Sequence, residues 1–318
     1  MIETCCQFGP QQELAGIITQ PDAIHAGTGL ILINAGLVPK HGPYRLYAEL
    51  ARHLAQEGVR TLRFDLGDIG DSRPAHPGCA LEERTRQEVS AAIEQLCDDR
   101  TPPNIVLGGL CSGAEDAFRC AETDARVSHL ILIDPFSFET PGWHWHDRLY
   151  RLARSVLLGL GLHRSGGNLL ARWTQNTSPT NASAGLPGGP ENASAAEQSA
   201  DASSRLNYKH MGRPQASRIL KTLIARGVHV HFIYTGGMRP GFNHAGQLAE
   251  MFSDIDFRGK VTLDYFPRLD HMQPLRAERN RLVETISRRL KATSVSTARS
   301  TRNGTTEKLV GTFQSSAI

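Results

Sequence analysis

Six apolar runs, GLILINAG, VRTLRFDLG, NIVLGGL, VSHLILIDPF, VHVHFIYTGG and KVTLDYF, recur along the chain with amphipathic or polar segments between them. Each is nearly continuous in Ile, Leu and Val, the pattern of a strand covered on both faces. The segments between them have helical character: Tyr44 to Gly58, Leu81 to Asp98, AEDAFRCAETDA and RILKTLIARG, with ERNRLVETISRRLKA closing the series. Alternation of this kind predicts an α/β fold with a mostly parallel, doubly wound sheet. A short hairpin, CCQFG and ELAGIIT around Pro10, opens it. With 318 residues and 40% hydrophobic content, the chain can bury a sizeable core.

Residues 1–141 and 216–292 carry the strand and helix pattern and form the core in two parts. Residues 142–215 read as a lid insertion, whose first part is amphipathic and is expected to fold as helices over an active site. Trp143, Trp145 and Trp173 are expected to line that lid or a pocket roof. Within it, 176–204 is rich in Ala, Ser, Asn, Gly and Pro and is expected to be a flexible loop; the polar tail 293–318 is expected to be disordered. The 35 basic and 32 acidic residues are dispersed, so nothing points to nucleic acid or an anionic membrane. No apolar run reaches the roughly 18 residues of a membrane span, and MIETCCQFGPQQE lacks signal-peptide character, which gives a cytoplasmic expectation. The cysteines at 5, 6, 79, 97, 111 and 120 have no metal-ligand spacing, so reduced thiols, no metal and no cofactor are expected.

Chemistry concentrates at Gly109–Leu110–Cys111–Ser112–Gly113, a G-x-C-x-G between an apolar run and a helix candidate. A strained strand-to-helix turn that exposes a nucleophile needs small residues two before and two after it. Gly109 and Gly113 satisfy this for Cys111, whereas Leu110 would obstruct the same turn around Ser112. Ser112 is therefore expected to contribute only its backbone N–H at a helix start, where it favours a thiolate and a developing oxyanion. The competing reading makes Cys111 an inert filler beneath a Gly-rich turn.

A nucleophile of this type needs a base, and the base an orienting group. His271, in FPRLDHMQPL after the last strand candidate, is placed to serve as base; Asp270 beside it points elsewhere and shapes the loop. The loop after VHVHFIY, TGGMRPGFNHAGQ, contains no Asp or Glu. Asp134, closing LILIDPF, is the alternative acid, with a plain turn residue before Pro135 as its bland reading and a Cys–His dyad as the acid-free alternative. A second oxyanion donor is expected from the turn INAGLV: the Leu37 N–H, with Gly36 as runner-up.

The order NAGL, FDLGDIGDS, GLCSGA, LIDP and LDH resembles the α/β-hydrolase superfamily, in its serine-aminopeptidase-like branch and among it the exosortase-associated hydrolases. The resemblance covers roughly Thr4 to Lys291, and Asp68 stands where a glycine is usual, a change expected to alter only the turn. It implies an α/β-hydrolase fold and acyl chemistry on a small-molecule ester, a thioester or a carrier-bound acyl group. Two other functions stay open: an acyltransferase that passes the acyl group to an amine or alcohol, and a binding protein of this fold with impaired catalysis.

Overall fold

The apolar runs pair into one eight-stranded sheet, seen in a computed structural model that describes residues 1–22, 27–73, 79–97, 104–159, 208–238 and 241–291. Its strands are β1 (Ile2–Phe8), β2 (Leu14–Gln20), β3 (Thr28–Ile33), β4 (Arg60–Phe64), β5 (Asn104–Leu110), β6 (Val127–Ile133), β7 (His229–Thr235) and β8 (Val261–Phe266). They lie in the order β1-β2-β4-β3-β5-β6-β7-β8. Only β2 is antiparallel to its neighbours; β4 through β8 pair in parallel. This is the α/β-hydrolase fold, with the predicted hairpin at one edge.

Side chains alternate across the sheet and so feed two separate cores. On one face Ile31, Leu107, Leu132 and Phe232 meet α2 (Leu81–Leu96), α3 (Ser112–Thr123) and α5 (Arg213–Ala225). On the other, Leu30, Leu32, Val106 and Ile131 meet α1 (Leu46–Gln56) and α7 (276–291). Helix α4 (Pro141–Gly159) begins the insertion, and the short α6 (Gln247–Met251) follows the loop after β7.

Two boundaries differ from the sequence expectation for local reasons. Helix α1 starts at Leu46, because Tyr44 and Arg45 hold positive φ angles of 46° and 68°. It ends as expected at a glycine: Gly58 has φ 81°, and the Val59 N–H caps Leu54 O at 3.0 Å. Helix α5 already starts at Arg213, with Pro214 in its first turn, so the expected lid boundary at 215 falls inside a core helix. The flexible segment 176–204, the tail 293–318 and Trp173 lie outside the described residues. Trp145 on α4 is 62% exposed. No helix of the described residues is long and apolar enough to cross a membrane.

Candidate active site

The site is assembled at the C-terminal ends of the parallel strands, where this kind of sheet leaves a crevice for ligands. Cys111 sits between β5 and α3 with φ 57° and ψ −124°, a conformation that costs a non-glycine residue about 1–3 kcal/mol. The turn is held from both sides: the Cys111 N–H donates to Ile133 O at 2.9 Å, and Cys111 O accepts the N–H groups of Ala114 and Glu115 at 3.0 and 3.1 Å. Its glycines are required by close approach. A Cβ on Gly109 would strike the Gly113 carbonyl, and one on Gly113 would strike the Asn34 carbonyl. Beneath the turn the buried Tyr47 hydroxyl donates to Ile33 O at 3.0 Å and accepts the Leu110 N–H at 2.8 Å, tying β3 to β5.

His271, in the loop between β8 and α7, hydrogen-bonds through Nδ1 to Asp134 Oδ2 at 2.8 Å, and Cys111 is near enough to act on its protonation. Asp134 is fully buried at the end of β6, with φ 46°. Its carboxylate is aimed by Thr235, the last residue of β7, whose N–H reaches Oδ1 at 2.7 Å and whose hydroxyl reaches Oδ2 at 2.6 Å. The structure thus brings together Cys111, His271 and Asp134 across 160 residues of chain, since 271 − 111 = 160. Asp270 shapes the loop as expected: its Oδ1 accepts the Met272 N–H at 2.8 Å.

Burial alone would hold His271 neutral. The hydrogen bond to Asp134, with the proximity of Cys111 and the charge of the Asp134 carboxylate, outweighs it and raises the imidazole to about 10. An imidazolium facing the sulfur at the N-terminus of α3 favours charge separation along Cys111–His271.

The turn after β3 is pinned rather than loose. Asn34 Oδ1 accepts the Leu66 N–H at 2.6 Å, Asn34 Nδ2 donates to Val38 O at 2.8 Å, and Asp65 Oδ1 accepts the Lys40 N–H at 2.6 Å. The Gly36 N–H donates to Ser112 Oγ at 2.8 Å. That bond corrects the expectation that Ser112 supplies only backbone: its hydroxyl clamps the turn and commits the runner-up donor Gly36. Among the described residues, the N–H groups of Leu37 and Ser112 have no acceptor. Asp68 does more than alter its turn. At φ 68° its carboxylate meets the buried Arg84 Nη1 at 2.9 Å.

Three contributors escaped sequence reasoning. Thr235 and Tyr47 act through long-range contacts that no local pattern encodes. Gly237 had a visible signal in TGG: a Cβ there would lie 2.5 Å from the His271 N and Cβ, so the loop after β7 gives up its side chain to admit the histidine loop. Among the described residues, no group of three or more His, Cys, Asp or Glu side chains could hold a metal ion.

No protein-family model matches this sequence, and no curated protein does. Solved structures share the fold. DcsB, solved with its substrate analogue, aligns at TM-score 0.55 and 16% identity over 92% of this chain and 99% of its own. The Pyrococcus furiosus esterase Pf2001 aligns at TM-score 0.54 and 13% identity over 92% and 90%. The thioesterase domain from the curacin biosynthetic pathway aligns at TM-score 0.52 and 17% identity over 90% and 99%.

Proposed function

We propose that this chain is a hydrolase that cleaves an ester or thioester through an acyl group carried on Cys111. The sulfur of Cys111 attacks the carbonyl with its proton already resident on His271, and Asp134 fixes that imidazolium by accepting from its Nδ1. The N–H groups of Ser112 and Leu37 face the oxyanion of the tetrahedral intermediate. The intermediate collapses as the leaving alcohol or thiol takes the proton from His271, which leaves a thioester on Cys111. Water, deprotonated by His271, then attacks that thioester; the carboxylic acid departs and the thiol is restored.

One observation carries the reading: a strained cysteine at a strand-to-helix turn, beside a histidine whose Nδ1 is 2.8 Å from a fully buried carboxylate. The presence of an esterase and a thioesterase domain among the proteins of this fold supports the chemistry. Suitable substrates are small-molecule esters, thioesters or carrier-bound acyl groups. Aminolysis or alcoholysis of the same intermediate would make the enzyme an acyltransferase without any change in machinery, and product analysis with added amine separates the two. A non-catalytic binding role drew its support from the acid-free loop after β7; the contact of Asp134 with His271 weakens that support.

The test is hydrolysis of p-nitrophenyl esters and acyl thioesters by the intact chain and after iodoacetamide treatment. Turnover that disappears in step with alkylation of Cys111 supports the reading. Undiminished turnover with Cys111 fully alkylated refutes it.

A further inference from the structure

The N-terminal ends of the same strands enclose a second feature. A cavity of about 190 Å³ lies among β6, β7, β8 and the end of α7, lined by His129, Ile131, His229, Lys260 and Leu290 among others. At about 3.3 Å per residue, His129 is ~16 Å along β6 from Asp134, so the cavity is separate from the candidate active site.

The tautomer of His129 depends on where Ser128 directs its one hydroxyl hydrogen. Ser128 is skipped where the β5–β6 register shifts beside Ile105. Its hydroxyl stands 3.1 Å from Ile105 O and 2.8 Å from His129 Nδ1, and when its one hydrogen goes to the carbonyl only a lone pair is left for Nδ1. In that arrangement His129 carries its hydrogen on Nδ1, and Nε2 is a bare acceptor. The residue is 7% exposed, yet among the described residues Nε2 has no partner. A buried acceptor without a donor is costly, which makes this atom a place where a ligand would gain.

A positive charge accompanies it. The His229 ring stacks on His129 with centroids 5.0 Å apart, and His229 Nε2 accepts from Lys260 Nζ at 3.0 Å. Two ammonium hydrogens remain, and among the described residues no carboxylate pairs with Lys260. Asp264, on β8, is engaged by Arg289 at 3.0 Å and by His231 at 3.1 Å, while the other His231 nitrogen meets Thr262 at 2.7 Å.

We infer that this cavity binds a small monocarboxylic acid. One carboxyl oxygen accepts from Lys260, the other shares a proton with His129 Nε2, and the hydrocarbon end lies against Ile131 and Leu290. An alcohol could donate to His129 but would leave Lys260 uncompensated. Inorganic phosphate would turn part of its oxygens toward Ile131 and Leu290, which have no donors for them. The volume is below the ~300–1,000 Å³ of pockets for drug-sized ligands, which suits a short chain.

Burial first, then the neighbouring His229 and Lys260, hold His129 down to about 4, so it is neutral before binding near pH 7. The ligand arrives as a carboxylate, so the shared proton must come from solvent. Binding should therefore take up about one proton per site.

The test is titration calorimetry of butyrate near pH 7 in two buffers of different ionisation enthalpy, with the ¹⁵N signal of His129 Nε2 followed in parallel. The expected result is saturable binding with uptake of about one proton and a shift of that signal. Lys260→Met and His129→Phe should each weaken binding by at least about tenfold, with ester hydrolysis unchanged. 1-Butanol and inorganic phosphate should leave the His129 signal in place. Absence of butyrate binding, binding without proton uptake, or binding indifferent to Lys260→Met would each overturn the inference.

Discussion

At the C-terminal end of β6, His271 meets Asp134 and is raised to about 10; toward the N-terminal end of the same strand, His129 meets Ser128, His229 and Lys260 and is lowered to about 4. Both rings are largely withdrawn from water, and burial acts on both in the same direction, against charge. What differs is the sign of the group placed opposite. A carboxylate and a thiol make one histidine a proton carrier, whereas an ammonium keeps the other a neutral acceptor. One sheet thus offers a cationic and a neutral imidazole, and the histidine count alone predicts neither.

The largest effect available for breaking this contrast is removal of the nucleophile. Cys111→Ala should abolish both turnover and active-site alkylation, measured with an activated ester and with iodoacetamide. His271→Ala should slow acylation by at least about a hundredfold, the lower range for loss of a general base.

Asp134→Asn sharpens the comparison most cleanly, because it deletes the charge and nearly preserves the volume. Acylation should fall by about 10²–10⁴-fold, and the loss should be non-additive with His271→Ala, because two members of one proton path cannot be lost twice. The same variant should move the His271 titration, followed by NMR, from about 10 toward the ordinary histidine value of about 6.5. Stability follows from that shift. A folded-state value raised above the unfolded one contributes stability that is fully present below pH ~6.5 and is lost as pH rises through about 10. Urea unfolding across that window should show this decline in the native chain and a flatter profile in Asp134→Asn.

The smallest effect concerns Ser112. Because its hydroxyl holds the Gly36 N–H, Ser112→Ala should lower turnover by about tenfold, less than the 10²–10³ expected for loss of an oxyanion donor itself. Alkylation of Cys111 should persist in this variant; its loss would contradict the assignment of Ser112 as a positioning residue.

These expectations divide along what a sequence can encode locally. The G-x-C-x-G spacing and the strand and helix periods are local, so the turn at Cys111 and the mostly parallel, doubly wound sheet could be read directly. His271 and Asp134 could be nominated because chain order assigns them to strand ends that share one edge of the sheet. Their contact depends on Thr235 and Gly237, which are ordinary residues until β7 lies beside β6 and the histidine loop closes over it. The hydroxyl of Ser112 was misread for the same reason: its partner, Gly36, is 76 positions away. Asp68 likewise looks like a departure from a turn pattern until the buried Arg84 on α2 supplies its counter-charge.

The central claim is that the acyl group is carried on the sulfur of Cys111. The most direct measurement is intact-mass analysis after brief exposure to a slowly deacylating activated ester, followed by peptide mapping, on the native chain and on Cys111→Ala and Ser112→Ala. The account predicts one acyl adduct on Cys111 in the native chain and in Ser112→Ala, and none in Cys111→Ala. An adduct mapped to Ser112, or one that survives Cys111→Ala, would contradict it.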